Sequence, residues 1–164
     1  MADLSFDALM KVQEASFRRA GKPMLGSFLP EQALSRDDLE AFLTRKQYAV
    51  MATTRPNGKP LASMILFLVW RNAFWLPSTK GAVRLTNLSS QPWASLVITE
   101  GEDSNHTAVV VEGPTVTHGG ESMSRIFGDG LADVWDRHVT HSHDWVAALI
   151  ELTPDRLLSF RGLP

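Results

Sequence analysis

The sequence predicts a mainly β fold of the α+β kind, a small antiparallel barrel of about six strands with helices at its periphery. Three observations point there. From Tyr48 onward the apolar runs are strand-sized and separated by tight-turn signals such as Asn57-Gly58 and Arg71-Asn72. A single helical period, residues 81–88, interrupts the series after its third strand. The other helix-like segments lie in the first 46 residues and in residues 120–145, ahead of the closing strands.

Taken in order, residues 3–20 place Phe6, Leu9, Met10 and Phe17 at mixed three- and four-residue spacings, an amphipathic helix. Gly21, Pro23, Gly26 and Pro30 make residues 21–30 a connector. Ser35 then reads as an N-cap, with Asp37, Asp38 and Glu40 in the first turn and Arg45 and Lys46 in the last. That is the charge order a helix dipole prefers, and Leu39, Phe42 and Leu43 form the apolar face. Tyr48–Thr54 is the first strand, and Arg55–Lys59 is a hairpin turn. Leu61–Trp70 is almost continuously apolar and is expected to be one strand buried on both faces. Ala73–Pro77, Trp93–Thr99 and Thr107–His118 follow as strands, the last interrupted at Gly113-Pro114, where proline removes a ladder donor. Residues 146–152 and 157–160 close the sheet. Two units are expected: residues 1–34 as a helical extension and connector, and residues 35–164 as the barrel domain.

Composition narrows the function classes. Over 164 residues the net charge is −2 and the pI about 6.2, without the basic footprint that nucleic acid or an anionic membrane would select. Absence of cysteine excludes disulfides, Cys-ligated zinc and a thiol nucleophile. The opening residues carry Asp3 where a signal peptide would be basic, and the longest apolar run is about strand-sized, so a cytoplasmic location is expected.

The most informative stretch is Ser78–Leu88. A strand that turns into a helix through Ser78-Thr79-Lys80-Gly81 directs free backbone N–H groups at one spot. On a helix, Lys80, Arg84 and Asn87 fall at i, i+4 and i+7 and share a face, which makes the stretch a phosphate seat. The competing reading is an ordinary solvated helix face.

With these residues in place, the order of elements resembles the pyridoxamine 5′-phosphate oxidase-like split-barrel family, whose members use FMN or the deazaflavin F420. The resemblance is carried by Tyr48-Ala49-Val50-Met51-Ala52-Thr53-Thr54, Asn57-Gly58-Lys59-Pro60, a strand ending in Ser78-Thr79, and Asn87-Leu88 with Pro92 shortly after. It runs from about Leu39 to His118. It implies a six-stranded split barrel and a homodimer with a flavin-type cofactor between subunits. Carried over residue by residue, Ser78 and Thr79 match the hydroxylic pair, and Arg84 the basic residue used on the phosphate. Asn87 matches the family's asparagine, and Ser63, Met64 and Ile65 match the segment along the isoalloxazine ring. This chain departs from the pattern at Thr86, at Ser89-Ser90-Gln91 and at Met64, where the family commonly has a basic residue, Arg and Asp, and proline. The first two departures remove positive charge.

Other clusters are less specific. His138, His141 and His143 lie close together in sequence, but without a complete ligand spacing, so no metal site is expected; one of them is a substrate-facing or haem-ligand candidate. Trp135 or Trp145 is a candidate for stacking on a planar ligand, whereas Trp70, Trp75 and Trp93 read as core or interface. No nucleophile elbow and no Gly-x-Gly-x-x-Gly motif is present. The expected function is an oxidoreductase moving a hydride between FMN (or F420) and a small organic substrate. The cofactor supplies that chemistry, so no protein acid–base pair is required. Arg55, Lys59 and Lys80 are the cations available for an F420 tail. The alternative is a split-barrel protein that holds flavin or haem without turnover, as carrier, sensor or store.

Overall fold

The computed structural model describes residues 5–162; Asp3 and Leu4, at the start of the expected first helix, lie outside the described residues. Helix α1 (Ser5–Arg19) turns Phe6 and Leu9 into the main core. It is fixed to the end of the chain by buried polar bonds. The Gln13 amide donates to the Leu34 carbonyl at 2.9 Å, the Leu34 N–H donates to the Ser159 hydroxyl at 2.8 Å, and Ser159 donates back to Gln13. The segment expected as a plain connector contains a short helix, α2 (Lys22–Ser27). Pro23 sits in its first turn, where the missing N–H costs nothing, and a Gly/Pro count alone hides that. Helix α3 (Arg36–Arg45) begins as its charge pattern predicts: Ser35 accepts from the Asp38 N–H at 3.2 Å, and Leu39, Phe42 and Leu43 are buried.

The strands are β1 (Tyr48–Thr54), β2 (Pro60–Leu66), β3 (Leu68–Trp70), β4 (Ala73–Ser78), β5 (Trp93–Glu100), β6 (Thr107–His118), β7 (Ala148–Leu152) and β8 (Arg156–Arg161). They form one antiparallel 8-stranded sheet in the order β2-β1-β5-β6-β7-β4-β3, with β8 on β6. The count exceeds six for two reasons. The closing segments supply two strands, and Leu61–Trp70 is not one strand but breaks at Phe67. There the Phe67 N–H donates to the Gln47 carbonyl at 3.0 Å, and the chain passes from β2 at one edge of the sheet to β3 at the other. That passage curls the sheet into its barrel. A continuous apolar run carries no period that marks such a break.

The interruption expected at Gly113-Pro114 is where β6 changes partner, from β8 (through Glu112↔Arg156) to β7 (from Thr115↔Leu152). A Cβ on Gly113 would sit 1.9 Å from the Thr153 carbonyl oxygen, so only glycine permits the crossing. The Arg71-Asn72 turn has φ of 48° and 62°, the both-positive geometry of a tight hairpin.

β2 differs from expectation in a second way. Met64 is 62% exposed, so the strand is not buried on both faces. β2 is a sheet edge, and among the described residues no layer covers Met64 on its outer side. Register pairs Met64 with Val50 and Val50 with Val97, which places these side chains on one face. With Val50 41% and Val97 37% exposed, they make an apolar row across β2, β1 and β5.

After β6, helices α5 (Gly120–Ile126) and α6 (Ala132–His138) are joined by a π-helical turn at Phe127–Leu131, with Gly130 at φ 143°. They cover a second core of Leu66, Leu68, Trp75, Trp135 and Leu149. Among the described residues, no helix is long and apolar enough to cross a membrane.

Candidate functional site

One cleft of about 210 Å³ opens where β1 begins, β2 ends and β4 ends. Its walls come from Tyr48, from Met64, Ile65 and Leu66, from Pro77, Ser78 and Thr79, from Arg84, and from His141 and Trp145. Among the described residues, no carboxylate lines it.

The turn between β4 and the next helix, α4 (Val83–Ser90), supplies its polar wall. Strand β4 runs buried to Ser78, whose carbonyl accepts from the Ala147 N–H at 3.0 Å. Gly81 at φ 73° then turns the chain, and helix α4 (Val83–Ser90) starts two residues later than the sequence period suggests. This start separates the predicted face. Lys80 lies in the turn, exposed, and does not line the cleft, whereas Arg84 is in the first turn of α4 and does. Asn87 points inward: it is buried and donates to the Thr53 hydroxyl at 3.0 Å, holding α4 against β1.

Ser78 and Arg84 are each incomplete. The Ser78 hydroxyl belongs to a residue only 2% exposed, and it has no hydrogen-bond partner among the described residues. A buried hydroxyl left so is a cost to the fold unless something else satisfies it. The half-buried Arg84 guanidinium donates from Nη2 to the Met64 carbonyl at 3.3 Å, and no ion pair to it is found among the described residues. Burial lowers its pKa from the ordinary value, the mark of a cation partly removed from water.

Of the ring-side segment, Met64 and Ile65 line the cleft and Ser63 does not; Ser63 pairs with Met51 one step further along β2. Arg55 and Lys59 flank the turn at the far end of β1 and β2 from Tyr48 and Leu66. The three neighbouring histidines diverge. His141 lines the cleft, and His143 stacks flat on Phe127, with centroids 4.2 Å apart and rings 8° from parallel. His138 sits in a separate depression with Lys46 and Arg137, where burial, then the Arg137 charge, lowers its pKa. Among the described residues, no group of three His, Asp or Glu side chains is placed to hold a metal. Tyr48, Leu66 and Pro77 are lining residues that residue-by-residue reading passes over, and of these Tyr48 is the one with a polar group. It has the signal of a polar-tipped aromatic at the first position of a strand, which is too common to single out.

Comparison with known proteins adds the family. The sequence matches the family model of pyridoxamine 5′-phosphate oxidase over residues 35–158. The chain belongs to the pyridoxamine 5′-phosphate oxidase family. A search of curated proteins returned no match. Among solved structures, a conserved hypothetical protein from Mycobacterium tuberculosis superposes with a TM-score of 0.68 at 19% identity, covering 82% of this chain and 92% of that one. A FAD-binding protein from Mesorhizobium loti gives 0.61 at 15% identity, covering 78% and 93%. The haem storage protein HutZ from Vibrio cholerae gives 0.57 at 13% identity, covering 77% and 94%. At such identities these likenesses establish a shared fold, and two of these neighbours are described by different ligands, FAD and haem.

Proposed function

We propose that this family member is a flavin-type oxidoreductase that seats FMN in the cleft and reduces or oxidises a small organic substrate. The observation that carries the reading is the pair of incomplete groups at the β4–α4 turn: among the described residues, a buried hydroxyl has no partner and a half-buried guanidinium has no carboxylate. A phosphate satisfies both, accepting from Ser78 Oγ and from Arg84. Thr79 adds a second hydroxyl at the same wall. The edge of β2 at Met64 and Ile65 offers an apolar shelf for the ring, and the free side of an edge strand has backbone groups to address ring heteroatoms. Bound flavin supplies hydride transfer, and the chain's part is to bind, orient and exclude water.

FMN is favoured over F420, because the cations an F420 tail requires are scattered. Lys80 is exposed outside the cleft, and Arg55 and Lys59 are at the far end of the hairpin.

The same reading calls for a homodimer. The cleft, at about 210 Å³, is smaller than the roughly 300–1,000 Å³ of a complete small-molecule site. Met64 belongs both to the cleft and to the uncovered Met64–Val50–Val97 row, so a second copy laid on that row closes the site and buries the row together. An obligate interface of this kind buries at least roughly 2,000 Å².

The absorbance spectrum of the purified protein, with added FMN if none co-purifies, tests the reading. Flavin bands in the blue and near-ultraviolet that stay with the protein through gel filtration are expected. A Soret band instead, or FMN that separates completely from the protein, contradicts it.

A further inference from the structure

We propose that the small depression at the end of α6 is a second binding site, which takes the carboxylate of a small aliphatic acid on Arg137 and His138. The inference is independent of the flavin reading, because neither residue lines the cleft.

The chemistry of this lining is one-sided. Lys46, Arg137 and His138 meet there, and among the described residues no carboxylate lines it. The three are not equally available. The Lys46 ammonium lies 2.9 Å from a carboxylate oxygen of Glu100, which stands outside the lining, and is neutralised by it. Among the described residues, the side chains of Arg137 and His138 have no hydrogen-bond or ion-pair partner. The Gln47 amide donates to the His138 carbonyl at 2.6 Å, which ties the end of α6 to the segment leading into β1.

Basic residues at a helix C-terminus ordinarily face the dipole, and a histidine so placed is favoured as a cation. His138 departs from that pattern. Burial first, then the Arg137 charge, lowers its pKa, so at neutral pH an uncharged imidazole with an N–H to donate stands by an unpaired guanidinium.

Size and polarity choose the anion. The depression has a volume of about 30 Å³. Roughly 10–15 Å³ holds one water-sized group, so about two such groups fit, which matches the two oxygens of a carboxylate and not the four of a phosphate. The remaining walls include Phe67, Val69 and Val134, against which a second negative charge is costly to desolvate. A singly charged carboxylate meets both limits. The guanidinium fork donates to its oxygens, the imidazole N–H donates to one of them, and the short alkyl part is left at the mouth.

The test uses the full chain, with and without FMN, and propionate as the probe, against sodium chloride at the same ionic strength. Histidine-ring NMR reads it, since His138 is the histidine of the depression and His118 and His141 lie outside it. Propionate is expected to shift the His138 ring signals and to leave those of His118 and His141 in place. It is also expected to raise the pH at which His138 titrates, because a bound anion favours the imidazolium. The charged groups of the lining that face this ring are Arg137 on its own helix and Lys46, the latter already paired with Glu100, so the rise reports the added anion. R137A is expected to weaken propionate binding at least about tenfold. R137K, which keeps the charge and loses the fork, is expected to fall between R137A and the parent. Arg137 is exposed, so both variants keep the core, and their FMN titrations are expected to match the parent's. A His138 ring that propionate does not move, an equal response to sodium chloride or to inorganic phosphate, or an R137A protein that binds propionate as the parent does overturns the inference.

Discussion

Replacing Arg84 with alanine is expected to weaken FMN binding by roughly 10- to 150-fold. A hydrogen bond from a guanidinium to a phosphate contributes about 1.5–3 kcal/mol, and each 1.4 kcal/mol is about a factor of ten. The effect is large because Arg84 is half-buried, has no ion pair among the described residues and is held by the Met64 carbonyl in the cleft wall, so its charge is already aimed and partly desolvated. Lys80→Ala is expected to cost much less, since Lys80 is exposed in the turn and lines no part of the cleft. Fluorescence titration of both variants measures the difference. Equal losses for the two, or an FMN affinity untouched by Arg84→Ala, would return residues 78–88 to an ordinary solvated surface.

Met64→Glu is expected to abolish both FMN binding and dimerisation. Met64 stands in the cleft lining and at the end of the Met64–Val50–Val97 row, so a carboxylate there has to be desolvated against the ring and against the second copy. An unpaired charge in such a place costs far more than the interface gains from one side chain. In the isolated chain Met64 is 62% exposed, so the substitution leaves the barrel core intact. Sedimentation velocity and FMN titration on the folded variant check both halves. A dimeric Met64→Glu protein with the parent's FMN affinity contradicts the placement of ring and interface.

The parts of the fold that were legible in the sequence are those where one residue type has one physical use. Ser35 followed by acids marks the start of α3, and the apolar residues of that helix are the buried ones. Tyr48–Thr54 and Trp93–Thr99 are strands where the sequence places them, and one face of each meets the core. Legibility fails where several structures share one composition. The run from Leu61 to Trp70 is apolar throughout, and neither the break at Phe67 nor the uncovered face of Met64 leaves a mark on it. In the helix after β4, spacing puts Arg84 and Asn87 on one side. It does not reveal that the helix starts at Val83, which leaves Lys80 behind, or that Asn87 is at the inward border of that side, bonded to Thr53. His141 and His143 are two residues apart with identical chemistry. Only their placement tells them apart: His141 lines the cleft, its backbone carbonyl accepting from the Trp135 indole N–H, and His143 stacks on Phe127.

The phosphate seat at the β4–α4 turn is the claim on which cofactor and ring shelf both depend. The dissociation constants of FMN and of riboflavin for the unaltered protein test it most directly, because the two ligands differ only in the phosphate. With Ser78 and Arg84 on the phosphate, FMN is expected to bind at least about tenfold more tightly than riboflavin, at about 1.4 kcal/mol or more from the charge-assisted bonds. FMN and riboflavin binding with equal affinity would contradict the account.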